Sequence, residues 1–303
     1  MNTLSRNLPP PTQFCCRLTT AAFLFTATTT ASCTGRQPRV EAAIISDSTS
    51  AKLQSDSVSN VVPVDINIYR PGVHHYDYRL NAIVQSTAGD STPRVDSSET
   101  IAVLTTSFQM PVRGALEARI QVDSATTIIR AHVTTTYVSP SQSFVFKITP
   151  TTGQVLQESD LVRPDPSSCS ERATESPFHG TELLPRIQPG VKAWTDSSGV
   201  RECRGSILLV FSRTMHYKLG EPSSTGQQLV RVTDALVTGS GAQWNQPVRV
   251  SGKGTSVDTF FISQSPPQLQ RLSGTSLLEM AFQSQLRSQR FIQATMVSAM
   301  IRP

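Results

Sequence analysis

The stretch Pro189-Gly190-Val191-Lys192-Ala193-Trp194 decides how this chain is divided, because a similar stretch occurs earlier as Pro71-Gly72-Val73-His74-His75-Tyr76. In both stretches a Pro-Gly turn and a valine precede two variable residues and a large aromatic residue. The aromatic residue then begins a segment with buried positions. We therefore predict two copies of one β-rich unit, over about 71–160 and 189–303.

Alternation of apolar and polar residues predicts strands throughout both copies. Tyr76 and Tyr78 fall on one face of the first strand, with Asp77 on the other, and this period of two is typical of a half-buried strand. Short turns separate the strands, and Gly239-Ser240-Gly241 is predicted to be one of them. Antiparallel meanders follow from such short connections. The predicted fold class is all-β, with antiparallel meanders that form a curved sheet or half-barrel.

The composition supports a sheet with one solvated face and argues against a nucleic-acid partner. Hydrophobic residues make up 38% and charged residues 16% of the chain, and both fractions are below globular averages. Serine and threonine fill the difference, and they suit turns and strands respectively. The formal net charge is +5, but the basic residues form no patch interleaved with aromatic residues, as a nucleic-acid surface requires.

The first 33 residues are predicted to be an export signal. Leu18 to Ala27 is apolar but far shorter than the roughly 20 residues that span a bilayer. Thr30-Ala31-Ser32-Cys33 follows and resembles the lipobox of bacterial lipoproteins, which implies cleavage before Cys33 and lipidation of its side chain. The alternative is ordinary secretion with cleavage near Ala31.

Composition then divides the rest of the chain. Residues 34–62 are rich in Ser, Asp, Thr and Ala and lack aromatic residues, so they are predicted to be a disordered tether. Residues 63–303 are predicted to be one β-rich domain. Within it, residues 161–188 contain several prolines, and we predict an irregular connector between the two copies.

The cysteines predict one disulfide. Cys15 and Cys16 lie in the predicted signal, and Cys33 is the predicted lipidation site. Cys169 and Cys203 remain as an even pair in an oxidising compartment. Their bond would contribute roughly 3–4 kcal/mol in the chain-entropy model. A redox or metal pair is disfavoured, because the sequence contains no Cys-x-x-Cys.

No catalytic residue, cofactor or metal site is predicted. His74 and His75 are adjacent, so on a strand they point to opposite faces and do not share one metal ion easily. The Gly-x-Ser-x-Gly nucleophile elbow is absent. Gly252-Lys253-Gly254-Thr255-Ser256 lacks the upstream glycine of a phosphate-binding loop, and we interpret it as a bend in a strand.

Aromatic residues at alternating positions predict an apolar concave face. It has two interpretations, a packed core or a cavity for a lipid or another apolar molecule, and the core is the commoner outcome. The residues singled out for this face are Tyr76, Tyr78, Phe144, Phe146, Trp194 and Phe261.

The chain resembles the uncharacterised β-rich lipoproteins of bacterial envelopes. The resemblance rests on the Thr30–Cys33 motif, the polar tether and the Thr-rich strands, and on Trp194-Thr195-Asp196 with Cys203 nearby, as in secreted domains of unknown function. At the level of the fold the chain is also similar to the half-barrels of the lipoprotein carriers.

This resemblance implies an exported, non-catalytic protein of the cell envelope, anchored by lipid to a membrane and facing the periplasm; the alternative location is a soluble secreted or periplasmic one. It would bind an apolar ligand or a protein partner on its curved sheet. Two alternatives stay open: an assembly component that uses a sheet edge, and a hydrolase whose site is formed by residues distant in sequence.

Overall fold

A computed structural model describes residues 68–89, 91–110, 115–131, 133–139, 141–158, 169, 183–243, 246–285 and 287–303. The predicted signal, the tether and Cys33 lie outside these ranges. The described residues contain twelve strands: β1 Gly72–Ala88, β2 Arg94–Gln109, β3 Leu116–Arg130, β4 Thr134–Ser139, β5 Gln142–Ile148, β6 Val155–Glu158, β7 Ala193–Arg204, β8 Ile207–Leu219, β9 Gln227–Gln243, β10 Gln246–Gln264, β11 Pro267–Gln283 and β12 Ser288–Ile301.

All twelve strands belong to one antiparallel sheet. Eleven follow the order β6-β5-β3-β2-β1-β12-β11-β10-β9-β8-β7, and β4 pairs with β3 beyond the end of β5. The N-terminal and C-terminal strands are joined where β1 pairs with β12, with Tyr76 opposite Ile301. The sheet curls into a half-barrel, so the predicted all-β fold is confirmed.

The predicted turn at Gly239–Gly241 is wrong, because β9 continues through it to Gln243. Here the glycines make room for close packing. A Cβ atom on Gly239 would lie 2.7 Å from Cδ2 of Leu209, nearer than side chains pack. Glycine inside a strand often marks such a close approach.

The two Pro-Gly-Val stretches both lie at or just before the start of a long strand but differ locally. Gly72 is part of β1, where it pairs with Phe108 of β2. Gly190 lies in a turn before β7 with a φ of 75°, a left-handed conformation that glycine adopts without steric cost. The duplication stays a prediction.

The concave face of the sheet carries two hydrophobic clusters. The first cluster contains buried residues of β1, β2, β3, β5 and β8–β12, together with Leu183, Leu184 and Ile187 of the connector. The second cluster is built mainly from β8–β12 and includes Leu209, Phe282 and Phe291. Burial of both clusters supplies the main driving force for curling the sheet.

Candidate functional site

Most of the aromatic residues predicted for the concave face belong to the first cluster or pack against it. Tyr76, Tyr78 and Phe146 are at most 4% exposed, and Phe144 and Trp194 pack against that cluster. Phe261 is the exception. Strand alternation buries its neighbours Phe260 and Ile262 and leaves Phe261 half-exposed, so Phe260 is the inward aromatic residue of this strand.

These aromatic residues form a packed core. A small cavity lies beside them, lined by residues that include Tyr69, His74, Tyr76 and Thr106. It offers about 10 Å³, which is room for about one water molecule. Of the two interpretations of the aromatic pattern, a filled core therefore describes this end of the half-barrel.

A row of hydroxyl groups separates the two clusters; we call it the polar belt. Its members lie on neighbouring strands at matching register and alternate with exposed residues of the outer face. Ser276 and Thr295 are hydrogen-bonded to each other. The polar belt consists of Ser98 on β2, Thr295 on β12, Ser276 on β11, Ser256 on β10 and Thr233 on β9. Ala82 of β1 lies in the same row, between Ser98 and Thr295.

A buried ion pair lies between the polar belt and the first cluster. Arg231 Nε is 3.0 Å from Asp258 Oδ2, and the two side chains are 14% and 10% exposed. Burial lowers the pKa of Arg231, but Asp258 and Tyr217 together more than offset this effect, so the pKa is raised. Gly274 makes room for the pair, because a Cβ atom there would clash with Oδ1 of Asp258.

Aromatic rings surround this pair. The guanidinium of Arg231 lies 5.0 Å from the centroid of Phe260, within cation–π range. Tyr217 stacks on Trp194 with centroids 5.0 Å apart. Burial raises the pKa of the Tyr217 hydroxyl. The arrangement is a neutral, satisfied network and presents no unpaired nucleophile or base.

The histidines form no shared site within the described residues. His75 faces outward, and its Nδ1 is 2.9 Å from the hydroxyl of Thr105, which donates to Asp123 at 2.5 Å. Burial, followed by the neighbouring His75, lowers the pKa of His74 on the other face. No group of three or more His, Cys, Asp or Glu side chains in the described ranges is arranged to hold a metal ion.

The predicted disulfide is present. Cys169 and Cys203 are bonded, with their Cα atoms 5.3 Å apart and a sequence separation of 34. Cys203 lies near the end of β7, opposite Leu208 of β8. The bond therefore ties the connector to the hairpin that contributes Leu209 to the second cluster.

Strand β7 forms an open edge of the sheet. It pairs with β8 and with no other described strand. The carbonyl of Lys192 accepts a hydrogen bond from the amide of Leu219 at 2.7 Å, on the β8 side. Because these groups alternate along an antiparallel strand, the odd-numbered residues direct their N–H and C=O groups away from β8. Between Ala193 and Arg201 they are Ala193, Thr195, Ser197, Gly199 and Arg201; disulfide-bonded Cys203 follows them.

The opposite edge is shorter. It consists of β4, with six residues, and β6, with four, whereas β7 has twelve residues and nothing in the described chain pairs with its outer side between Ala193 and Arg201. Nine residues of extended chain span about 30 Å. This edge is the candidate functional site.

Sequence reasoning did not single out this edge, although it placed Trp194 at the start of a segment with buried positions. A strand becomes an edge through the order of strands in the sheet, which alternation does not reveal. The available signal was the long connector at 161–188, since a strand that follows such a break has no hairpin partner before it.

Comparisons with known proteins leave the family open. No protein-family model and no curated protein matches the sequence. Similar solved structures include two mutants of the Rh. blastica porin, with 8% and 9% identity and TM-scores of 0.20 and 0.21. A structure described as "Asymmetric conductivity of engineered proteins" has 8% identity and a TM-score of 0.22. Each alignment covers 76% of this chain and 100% of the other.

These TM-scores are too low for the likeness to carry an argument about this chain. Within the described ranges, no helix has the length and apolar character needed to cross a membrane.

Proposed function

We propose that this protein is an exported, non-catalytic component of the cell envelope that binds another protein by adding its strand to the β7 edge. The observation that carries the proposal is the row of outward-directed backbone groups from Ala193 to Arg201, with which no residue in the described ranges pairs. Strand addition uses such groups as its main source of affinity. The packed first cluster favours protein binding at the β7 edge over the binding of a ligand in a cavity among the aromatic residues.

The β7 edge has few of the features that block strand addition. Edge strands are commonly protected by proline, lysine, bulges or inward-pointing charges. Strand β7 contains neither proline nor lysine and keeps one register with β8 throughout. Its inward-pointing carboxylates are paired with arginine, Asp196 with Arg186 and Glu202 with Arg204. Exposed Ser197 and Gly199 leave the middle of the edge accessible.

A matched pair of variants tests the proposal. Ser197→Pro removes a donor that faces away from β8, so it should leave the β7–β8 pairing intact. Ser197→Ala changes the same side chain and keeps the donor. A partner crosslinked and recovered from a native envelope fraction should be obtained with the wild type and Ser197→Ala, and lost with Ser197→Pro. Equal recovery with both variants, each folded by circular dichroism, would overturn the proposal.

We propose further that Cys33 anchors the protein by lipid to a membrane, with residues 34–62 as the tether and the sheet facing the periplasm. The support is the sequence Thr30-Ala31-Ser32-Cys33 after a short apolar run. Mass spectrometry of the mature N-terminus tests this. A lipidated cysteine as the first residue is expected, and Cys33→Ser should release the protein from the membrane fraction. An unmodified N-terminus near Ala31 would identify ordinary secretion instead.

A further inference from the structure

The charges of the β7–β8 hairpin indicate which charge a strand that pairs with the β7 edge should carry. Both of its carboxylates are paired with arginine: Asp196 with Arg186, and Glu202 with Arg204 at 3.3 Å. Three cations of the same hairpin have no carboxylate partner in the described chain. They are Arg201, Arg213 and Lys218.

These cations lie along the edge on both faces of the hairpin. Arg201 is exposed and belongs to β7 itself. Lys218 is exposed on the outer face of β8 and pairs with Ala193 at the other end of β7. Arg213 lies on the concave face, 5.5 Å from the ring centroid of Phe211, and pairs with Ser198. An added strand would stand about 4.8 Å from β7 and about 10 Å from β8. Arg201 would therefore lie on the adjacent strand, whereas the long side chains of Arg213 and Lys218 would extend across β7.

The opposite edge differs in charge. Strand β4 contains no charged residue, and Glu158 is the one charged residue of β6. A second copy of this chain would therefore bring at most one carboxylate to the three cations, whether it presented β4 or β6, and its own β7 would repel them. The charge pattern favours a different protein over self-association.

We infer that the β7 edge selects an extended segment that carries carboxylates and is otherwise small and polar. Opposite charges on adjacent strands stabilise the pair, whereas like charges directly opposite destabilise it. Thr195, Ser197 and Gly199 impose no bulky side chain on the outer face between Ala193 and Arg201, so the neighbouring residues of the partner need not be large. This inference rests on the proposed function of the same edge.

Two synthetic nine-residue peptides test it. One alternates threonine with glutamate and the other threonine with lysine, and each carries a fluorophore for anisotropy measurements with the folded wild type. The glutamate peptide should bind at least about tenfold more tightly than the lysine peptide at low salt, and the difference should shrink at high salt. In the double variant Arg201→Glu/Lys218→Glu the preference should reverse.

The outcomes separate the inference from the function on which it rests. Equal binding of both peptides, abolished by Ser197→Pro but not by Ser197→Ala, would overturn the charge selection and leave strand addition standing. A glutamate preference that persists in Ser197→Pro would mean attraction without strand pairing, and would overturn both. Failure of both peptides to bind the wild type would also overturn both. Loss of the glutamate preference in the double variant, with no change in its circular dichroism spectrum, supports the inference.

Discussion

The two hydrophobic clusters lie on the same concave face, yet they are built differently. The first cluster takes residues from strands of both halves of the chain and from the connector. In the second cluster, Val84 of β1 is the only contribution from the N-terminal half of the described chain; the other buried members belong to β8–β12. The difference shows that the first cluster unites the two halves, whereas the second stabilises mainly the C-terminal half.

The polar belt explains why there are two clusters. The inward positions of β10 run from Val248 and Val250 through Gly252, Gly254 and Ser256 to Phe260, so apolar contact is interrupted in the middle of the strand. Strands β11 and β12 place Ser276 and Thr295 in the same row. The hydroxyl groups of Ser276 and Thr295 bond to each other, and such groups contribute little apolar burial. The half-barrel therefore has two separately packed ends.

The largest expected effect comes from removing a ring of the first cluster. Phe260 is 0% exposed, and Phe260→Ala should lower the free energy of unfolding by about 4–5 kcal/mol through lost burial and the cavity left behind. Phe291 of the second cluster is 1% exposed, and Phe291→Ala should cost about 3 kcal/mol, because a smaller cluster beside the polar belt can relax more. Urea denaturation measures both. An equal or larger cost for Phe291→Ala would contradict the comparison.

Removal of the disulfide should act next in size, and mainly on the second cluster. Because the cysteines are separated by 34 positions in sequence, Cys169→Ser/Cys203→Ser should cost about 3–4 kcal/mol in the chain-entropy model. Cys203 lies beside the β8 strand that enters the second cluster. Amides near Leu209 should therefore lose more hydrogen-exchange protection than amides near Leu104. A uniform loss along the chain would show that the bond stabilises both ends equally.

The boundary between the clusters provides a smaller test. Gly274→Ala should displace the carboxylate of Asp258 from Arg231, because the added Cβ atom and Oδ1 cannot occupy the same space. We expect a cost of about 2 kcal/mol from the strained packing and the weakened pair. Gly254→Ala is the milder control, since its Cβ atom would meet the movable Cδ1 of Leu278 at 3.1 Å and the carbonyl oxygen of Leu277 at 3.2 Å, both farther away than Oδ1 of Asp258 is from a Cβ atom on Gly274. The idea fails if the control is as costly as Gly274→Ala.

Sequence alternation predicted the strands well because each long strand has one buried and one exposed face. Tyr76 and Tyr78 with exposed Asp77 show this directly. The even pair of cysteines likewise predicted the disulfide from their compartment. Both predictions depend on properties of the sequence alone, namely the alternation of apolar and polar residues and the even number of remaining cysteines.

Alternation did not predict which strands become neighbours. The pairing of β1 with β12 joins residues from the two ends of the domain, and the exposure of the β7 edge follows from the same order. Phe261 shows a related difficulty, because two consecutive aromatic residues leave the register undecided until β10 pairs with β9 and β11. The edge and the polar belt are therefore properties of the assembled sheet.

Alkaline pH should produce the smallest difference between the two clusters, because it acts through tyrosines that keep their protons at neutral pH. Burial raises the pKa values of Tyr69, Tyr76 and Tyr217, and all three belong to the first cluster, whereas the second contains no tyrosine. Above about pH 10 the unfolded chain loses these protons while the folded chain keeps them, so stability falls as the pH rises.

Urea midpoints measured from about pH 8 to pH 11 should decline above the ordinary tyrosine pKa. Tyr76→Phe removes one of the titrating groups and should flatten that decline, although it also loses the hydrogen bond to the carbonyl of Leu269 at 3.0 Å. The lost hydrogen bond lowers stability by the same amount at every pH, so it does not affect how steeply stability falls with pH. The slope of stability against pH therefore reports only the missing ionisable group. Exchange protection should disappear first around Leu104 and last around Leu209, because only the first cluster holds tyrosines that the rising pH would ionise on opening.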